Sequence, residues 1–401
     1  MDLTLNTLGT PSTRSTPNST YMRVAICTDG IFPLALGGMQ RHSRKLIEGL
    51  SRFEDLDIHV LHPHIDPVFT HYDHITEHCL TGIDSDKYYL RECFKYSKQV
   101  AGCLEEIRPD VIYSQGLSVW SNINNFKDRL IINPHGLEPY QGLTSKDKLV
   151  GYPFRLIFDY VFNRASVVIS LGGRLTTILE SRIRNHTTGI VEIPNATEVH
   201  RDQVTATHPE SFRDASQFKY RALFVGRFAS NKGITVLMQA IERLNNIGTG
   251  EKFSFQLAGK GPLFESFQKK YRYNNVTFLG FVSDEELKEL YNSSDLFVLP
   301  TLFEGMPTVV LEAMSYGLPI IVTDVGATAE LVDHSNGYLI NKGSVEALEK
   351  AFTDFSNLPD DSLYKMGCNS RIKVEERFSW KIVSKQHYEL FRKLGNKKIG
   401  E

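Results

Sequence analysis

Residues 295–323 read Asp295-Leu-Phe-Val-Leu-Pro-Thr-Leu-Phe-Glu-Gly-Met-Pro-Thr-Val-Val-Leu-Glu-Ala-Met-Ser-Tyr-Gly-Leu-Pro-Ile-Ile-Val-Thr323. The run up to Pro300 is short and apolar, as a buried strand is. A helix is expected from near Pro307, because proline suits the first helical turn. It should stop at Gly317, because glycine suits the position after a helix. A second apolar run, Pro319-Ile-Ile-Val-Thr323, follows at once. Strand, loop, helix and strand in so few residues make a unit of a parallel α/β sheet.

The loop of this unit carries chemistry. A chain entering a helix through Gly305-Met306-Pro307-Thr308 leaves backbone N–H groups pointing outward. With the helix dipole they suit an anion, above all a phosphate. Glu304 stands just before that place. Glu312, four residues after Thr308, shares its helical face. Carboxylates beside a phosphate site fit the hydroxyls of a ribose or a sugar. The spacing alone does not separate acid–base catalysis from binding, and an ordinary strand–helix turn with surface carboxylates is the lesser alternative.

Working outward, strand-like runs occur at Arg221–Val225, Ser254–Leu257, Val276–Leu279 and Gly337–Ile340, with helical patterns between them. Ser283 with Glu286 forms a capping box, which marks a helix over Asp284–Tyr291. The first half repeats the alternation. Its strands are expected at Met22–Thr28, Asp57–Leu61, Asp110–Tyr113, Arg129–Asn133 and Ser166–Leu171. Its helices are expected at Met39–Phe53, Leu90–Glu106 and Tyr152–Ala165. The reading is two open α/β domains, 21–195 and 216–379, joined by a polar linker at 196–215. Ligands of such sheets bind beyond the carboxyl ends of the strands.

The chain has 401 residues, enough for two domains at roughly 150 each. With 41% hydrophobic and 23% charged residues it reads as globular. A net charge of −2 argues against a nucleic-acid partner, which wants a basic excess. Five scattered cysteines (27, 79, 93, 103 and 368) form no C-x-x-C pair, so a reducing compartment is expected. Residues 1–20 are rich in Ser, Thr, Pro and Asn and are expected to be a disordered tail rather than a signal peptide. The longest apolar window, Tyr152–Leu171, is interrupted by Arg155, Asp159, Asn163 and Arg164, so no membrane span is expected.

Further motifs follow other strands. Gly226-Arg-Phe-Ala-Ser-Asn-Lys-Gly233 offers Arg227, which can fork two phosphate oxygens, and Lys232, a point charge. Ala35-Leu-Gly-Gly-Met39 opens a helix with Gly37 and Gly38, which allow close backbone approach. Asn133-Pro-His-Gly136 sets His135 in a stiff turn. Leu257-Ala-Gly-Lys-Gly-Pro262 and Leu279-Gly-Phe-Val282 are turns able to hold a nucleobase through Gly261 and Val282. Asn195 stands at the entrance to the linker. Each motif alone is also explained by a plain turn or a solvated loop. His62, His64, His71, His74 and His78 make a histidine-rich stretch; 71, 74 and 78 could share a face for a metal. A solvated polar loop is the plainer account.

Together these residues resemble the retaining glycosyltransferases called "glycosyl transferases group 1", the sucrose-synthase and glycogen-synthase-like class. The resemblance covers nearly all of 21–395. It rests on an E-x7-E motif at Glu304 and Glu312, Gly-Arg…Lys-Gly at Arg227 and Lys232, the glycines 37 and 38, and His135. It implies the GT-B architecture, two Rossmann-like doubly wound domains facing across a cleft, with the last helix, 380–396, crossing back onto the first domain.

The resemblance also implies roles. Glu312 reads the ribose, and Glu304 the donor sugar. Arg227 and Lys232 hold the diphosphate with Gly305, Met306, Pro307 and Thr308. Gly37, Gly38, Gly261 and Val282 complete the donor site, and His135 buttresses the sugar. The implied reaction is transfer of a hexosyl unit from a nucleoside-diphosphate sugar to a saccharide or lipid-linked acceptor, with retention and with neither metal nor cofactor. Its setting is polysaccharide or glycolipid biosynthesis in the cytoplasm or at the inner face of the membrane. Peripheral membrane contact through Arg41, Arg44, Lys45 and Arg52 is one option, and a solvated helix face the other. Ala196 and Lys260 depart from the usual pattern, the latter next to the expected base site. A nucleotide-sugar epimerase and a non-catalytic partner subunit are the competing readings.

Overall fold

The protein is described by a computed structural model over residues 21–83, 88–142, 144–200 and 218–396. The expected tail, 1–20, and residues 201–215 of the expected linker lie outside them.

The short apolar runs form two parallel sheets. The first contains β1 (Met22–Cys27), β2 (Leu56–His62), β3 (Ile75–Cys79), β4 (Val111–Gln115), β5 (Leu130–Asn133), β6 (Val167–Ser170) and β7 (Gly189–Glu192). Their order across the sheet is β3-β2-β1-β4-β5-β6-β7. The second contains β8 (Tyr220–Val225), β9 (Phe253–Ala258), β10 (Val276–Gly280), β11 (Leu296–Leu299), β12 (Ile320–Thr323) and β13 (Gly337–Ile340), in the order β10-β9-β8-β11-β12-β13. Central strands such as β4, β11 and β12 are buried along their whole length, which is why they read as unbroken apolar runs.

Helices cover both sheets. The first domain carries α1 (Gly38–Leu50), α2 (Tyr89–Ile107), α3 (Ser145–Val150), α4 (Tyr152–Phe162) and α5 (Arg174–Arg182). The second carries α6 (Ile234–Asn246), α7 (Phe264–Lys270), α8 (Asp284–Ser293), α9 (Thr308–Ser315), α10 (Thr328–Leu331), α11 (Val345–Asn357) and α12 (Asp360–Lys373). The capping box of Ser283 and Glu286 starts α8. The last helix, α13 (Trp380–Asn396), lies on the first domain. Its Val383, Leu390, Phe391 and Leu394 join the core with β1 and β2. Tyr388 stacks on Phe53 with ring centroids 4.1 Å apart.

The histidine-rich stretch differs from the expected polar loop. Residues 75–79 are the edge strand β3, paired with β2 through Ile58 and Ile75. His62 is fully buried, and its Nε2 lies 3.0 Å from Glu77 Oε2. Glu77 also accepts the amides of Val68 and Phe69, both at 2.8 Å. The carboxylate therefore pins the loop between the strands. Among the described residues, no three His, Cys, Asp or Glu side chains are placed to hold a metal ion.

In each sheet the chain reverses its direction of winding beside one central strand, at β1/β4 and at β8/β11. Loops diverge there and leave a crevice at the carboxyl ends of the strands. The loops after β1, β8 and β11 carry Gly37 and Gly38, Arg227 and Lys232, and Glu304 to Thr308.

Candidate active site

The loops after β8 and β11 are locked together. Leu302 N and Thr301 Oγ1 donate to Asn231 O at 2.8 and 2.9 Å. Gly233 adopts φ +69°, and a side chain on it would stand 1.7 Å from Pro300 O, so only glycine fits. This contact sets Lys232 beside Glu304. The Lys232 ammonium donates to Glu304 Oε1, and Thr301 Oγ1 lies 3.3 Å from the same oxygen. Arg227 is exposed and pairs with no carboxylate among the described residues. Gly261 packs on this loop, since its Cβ would be 2.6 Å from Phe228 O. Val282 is half-buried just before the cap of α8.

Beyond Glu304 the chain enters α9 at Thr308 after Pro307. Glu312 lies one turn in and accepts Tyr291 Oη at 3.0 Å. Burial pushes its carboxyl up to about 7. The Tyr291 hydrogen bond and the Arg41 charge pull it down, and Asp284 pushes it up. Part of Glu312 still opens to the cleft, so its crowding is that of a cleft wall and not of a sealed core.

The first domain meets these groups from the other side. A side chain on Gly38 would come 3.8 Å from Thr308 Oγ1. The first residues of α1 and α9, Gly38 and Thr308, are therefore close neighbours across the cleft. Two helix amino ends, each with first-turn amides suited to an anion, are thus brought together. Gly305 sits against His135, and a Cβ on it would be 2.2 Å from His135 O. Gln141 Nε2 donates to Glu304 O at 3.2 Å, and Asn195 Nδ2 to Met306 O at 2.8 Å.

His135 adopts φ +56° and donates its amide to Asn133 Oδ1 at 2.9 Å. Its ring packs edge-on against His42, centroids 4.6 Å apart. His42 in turn meets Trp380 and His387. Burial, then the nearby His387, hold the His135 imidazole down to about 3. It is neutral at physiological pH, and its buried Nε2 has no partner.

Sequence reasoning missed several residues here. Tyr291, the partner of Glu312, sits in a helix with no signal of its own. Arg41 and Asp284 form a two-pronged pair between α1 and α8 at 3.0 and 2.8 Å. Arg174 and Asp324 form another between the domains. The other cations of α1 are also engaged: Arg44 with Glu48, and Lys45 with Glu48 and Glu198.

Comparison with known proteins bears on the fold and on the carboxy-terminal domain. Residues 219–357 match the family model described as "Glycosyl transferases group 1". A teichuronic acid biosynthesis glycosyltransferase of Bacillus subtilis, assigned putatively by its name, is 38% identical over 136 residues, 34% of this chain and 33% of that one. Curated relatives at least 30% identical match over 33 to 44% of their own length, so this chain spans under half of each. Sucrose-phosphate synthase from Thermosynechococcus elongatus superposes with a TM-score of 0.76 at 20% identity, covering 93% of this chain and 99% of that one. Anabaena HepE, solved with UDP-glucose, superposes with a TM-score of 0.66 at 19% identity, covering 93% and 100%. The architecture is GT-B, and the resemblance to group 1 glycosyltransferases holds.

Proposed function

We propose, for a chain whose carboxy-terminal domain matches the group 1 glycosyltransferases, that it transfers a hexosyl unit from a nucleoside-diphosphate sugar to an acceptor hydroxyl with retention of configuration. The observation that carries this reading is the gap between the amino ends of α1 and α9, flanked by Lys232 and Arg227 and bounded by Glu304 and Glu312. A diphosphate suits the cations and helix amides gathered there. A ribose at Glu312 and a hexose at Glu304 occupy its two ends.

In this account the bond from the anomeric carbon to the diphosphate breaks as negative charge gathers on the leaving phosphate. Arg227, Lys232 and the amides of 305–308 stabilise that charge as it develops. The acceptor oxygen bonds to the same face of the sugar, and its proton passes to the leaving phosphate oxygen. His135, neutral and walled in, supports the sugar without carrying a proton. Two cations and two helix ends supply the neutralisation that a divalent metal gives elsewhere, so chelation leaves the rate unchanged.

The role in teichuronic acid biosynthesis named for the Bacillus subtilis relative supports polysaccharide assembly, and we place it at the inner face of a membrane. Support for membrane contact comes from α3 and α4, not from the paired cations of α1. Leu149 is 75% exposed, Val150 64%, and Tyr152 and Leu156 53% each. Exposed Lys146 and Lys148 flank them, a pairing that suits an anionic bilayer. Among the described residues no helix is long and apolar enough to cross a membrane.

A thermal-shift screen against UDP, GDP, ADP and dTDP and their sugars tests the reading. HepE's complex makes UDP-glucose the first compound to try. One nucleotide should raise the melting temperature clearly above the rest. A flat response across all of them would refute a nucleotide-sugar site.

A further inference from the structure

The turn after β5 brings a third carboxylate to the cleft. Glu138 opens the short turn Glu138–Tyr140, three residues past His135. Its side chain folds back over Gly136, where an added Cβ would meet Glu138 Oε1 at 2.4 Å. Gly136 lies in turn against Gly305, whose own Cβ would come 3.3 Å from Gly136 Cα. Gln141, at the end of the same turn, donates to Glu304 O. The Glu138 carboxylate therefore overhangs the Lys232–Glu304 pair from the opposite domain.

Its electrostatics agree with that place. Crowding by protein pushes the carboxyl up, its own amide pulls it down, the Glu304 charge adds to the rise and Lys232 opposes it. Yet Glu138 is exposed. Protein surrounds it while the open cleft still reaches it. No side-chain donor is bonded to it among the described residues.

We propose that Glu138 is a substrate-contacting residue that accepts hydrogen bonds from the hydroxyls of a neutral sugar acceptor. This rests on the nucleotide-sugar reading above. In that reading the nucleotide and diphosphate contacts are mainly those of the carboxy-terminal domain, Arg227, Lys232, Glu312 and the amides of 305–308, with the amino end of α1 added from the first domain. Glu138 faces them from the other wall, where the incoming hydroxyl has to arrive. An ionised carboxylate is an acceptor only, which suits hydroxyl donors. It repels a phosphate or carboxylate on the acceptor, since like charges brought together are unfavourable. Lys232, the cation that acts on its charge, is already held by Glu304. An acceptor with an anionic group beside its reacting hydroxyl is thus disfavoured.

Wild type, Glu138→Gln, Glu138→Asp and Glu138→Ala are assayed with nucleotide sugars of uridine, guanosine, adenosine and thymidine. Acceptors are p-nitrophenyl hexosides, which are neutral, or glucose 6-phosphate. Affinity for the nucleoside diphosphate should stay within about twofold in every variant. For the neutral hexoside, KM should rise tenfold or more in the Gln and Ala variants, and Asp should recover part of the loss. Melting temperatures should be unchanged. The proposal is overturned if the variants match wild type with the hexosides, or if nucleotide affinity falls in step with transfer. It is also overturned if wild type binds nucleotide but uses no neutral hexoside, or prefers glucose 6-phosphate. Wild type that binds no nucleoside diphosphate would overturn the nucleotide-sugar reading and this proposal with it.

Discussion

The ammonium of Lys232 is hydrogen-bonded to Glu304 Oε1 across the joined loops that follow β8 and β11. In this state each charge satisfies the other, and both side chains are largely screened from solvent, at 25% and 13% exposure. A donor must part them. The diphosphate takes the lysine, and a sugar hydroxyl takes the glutamate. Lys232→Ala and Glu304→Ala should each lower transfer by about a hundredfold or more, the range in which preorganised charges act. The double variant should lose far less than the product of the two, because contacting residues are not additive. Steady-state kinetics on the three proteins checks this; independent, multiplying losses would argue that the pair does not act as a unit.

Glu312 should show a conflict between binding and stability. Its folded-state value near 7 lies above the ordinary carboxylate value of 4.5. The folded protein therefore holds that proton to higher pH than the unfolded chain. Stability is lost as pH rises from the unfolded value through 7, and the full cost is present above it. Glu312→Gln removes that cost and can still accept the Tyr291 hydrogen bond. Its melting temperature should rise by a few degrees at pH 8 and change little at pH 4.5, while nucleoside diphosphate affinity falls about tenfold. Calorimetry at both pH values and a binding titration would show no pH-dependent gain and no loss of affinity if Glu312 were an ordinary surface carboxylate.

Gly305 is a place where the two domains touch backbone to backbone. A methyl group there would be 2.2 Å from His135 O, so the domains must part or the loop must shift. Gly305→Ala should reduce kcat more than tenfold while changing nucleotide affinity only severalfold, because domain closure assembles the reacting groups. Equal losses in both would mean that the glycine serves the nucleotide loop alone.

The surface of α3 and α4 gives a separate test. Wild type should sediment with vesicles of phosphatidylglycerol and phosphatidylcholine, and less so at high salt. Leu149→Glu with Leu156→Glu should abolish this without changing the melting temperature, since both side chains are exposed. Sedimentation that survives the double change would move the contact elsewhere.

Much of this architecture is legible in the sequence because parallel strands buried on both faces leave unbroken apolar runs. The runs 296–299 and 320–323 are found to within a residue or two. Edge strands are harder. Ile75-Thr-Glu-His-Cys79 has one buried position, so it looks like a polar loop. In the site, Glu304, Glu312 and Lys232 can be read from their place between strand and helix. Glu138, Tyr291 and the pairs Arg41–Asp284 and Arg174–Asp324 cannot. Their meaning depends on which loops meet across the cleft, and no local periodicity encodes that.

The most direct test of the central claim follows nucleotide release and product formation from the nucleotide sugar selected by thermal shift, in wild type and Glu304→Ala. Incubations run with and without a p-nitrophenyl hexoside acceptor. The account predicts an acceptor-dependent glycoside of retained configuration from wild type, formed at least a hundredfold more slowly by Glu304→Ala. Acceptor-independent conversion of the donor sugar, or a variant as active as wild type, would contradict it.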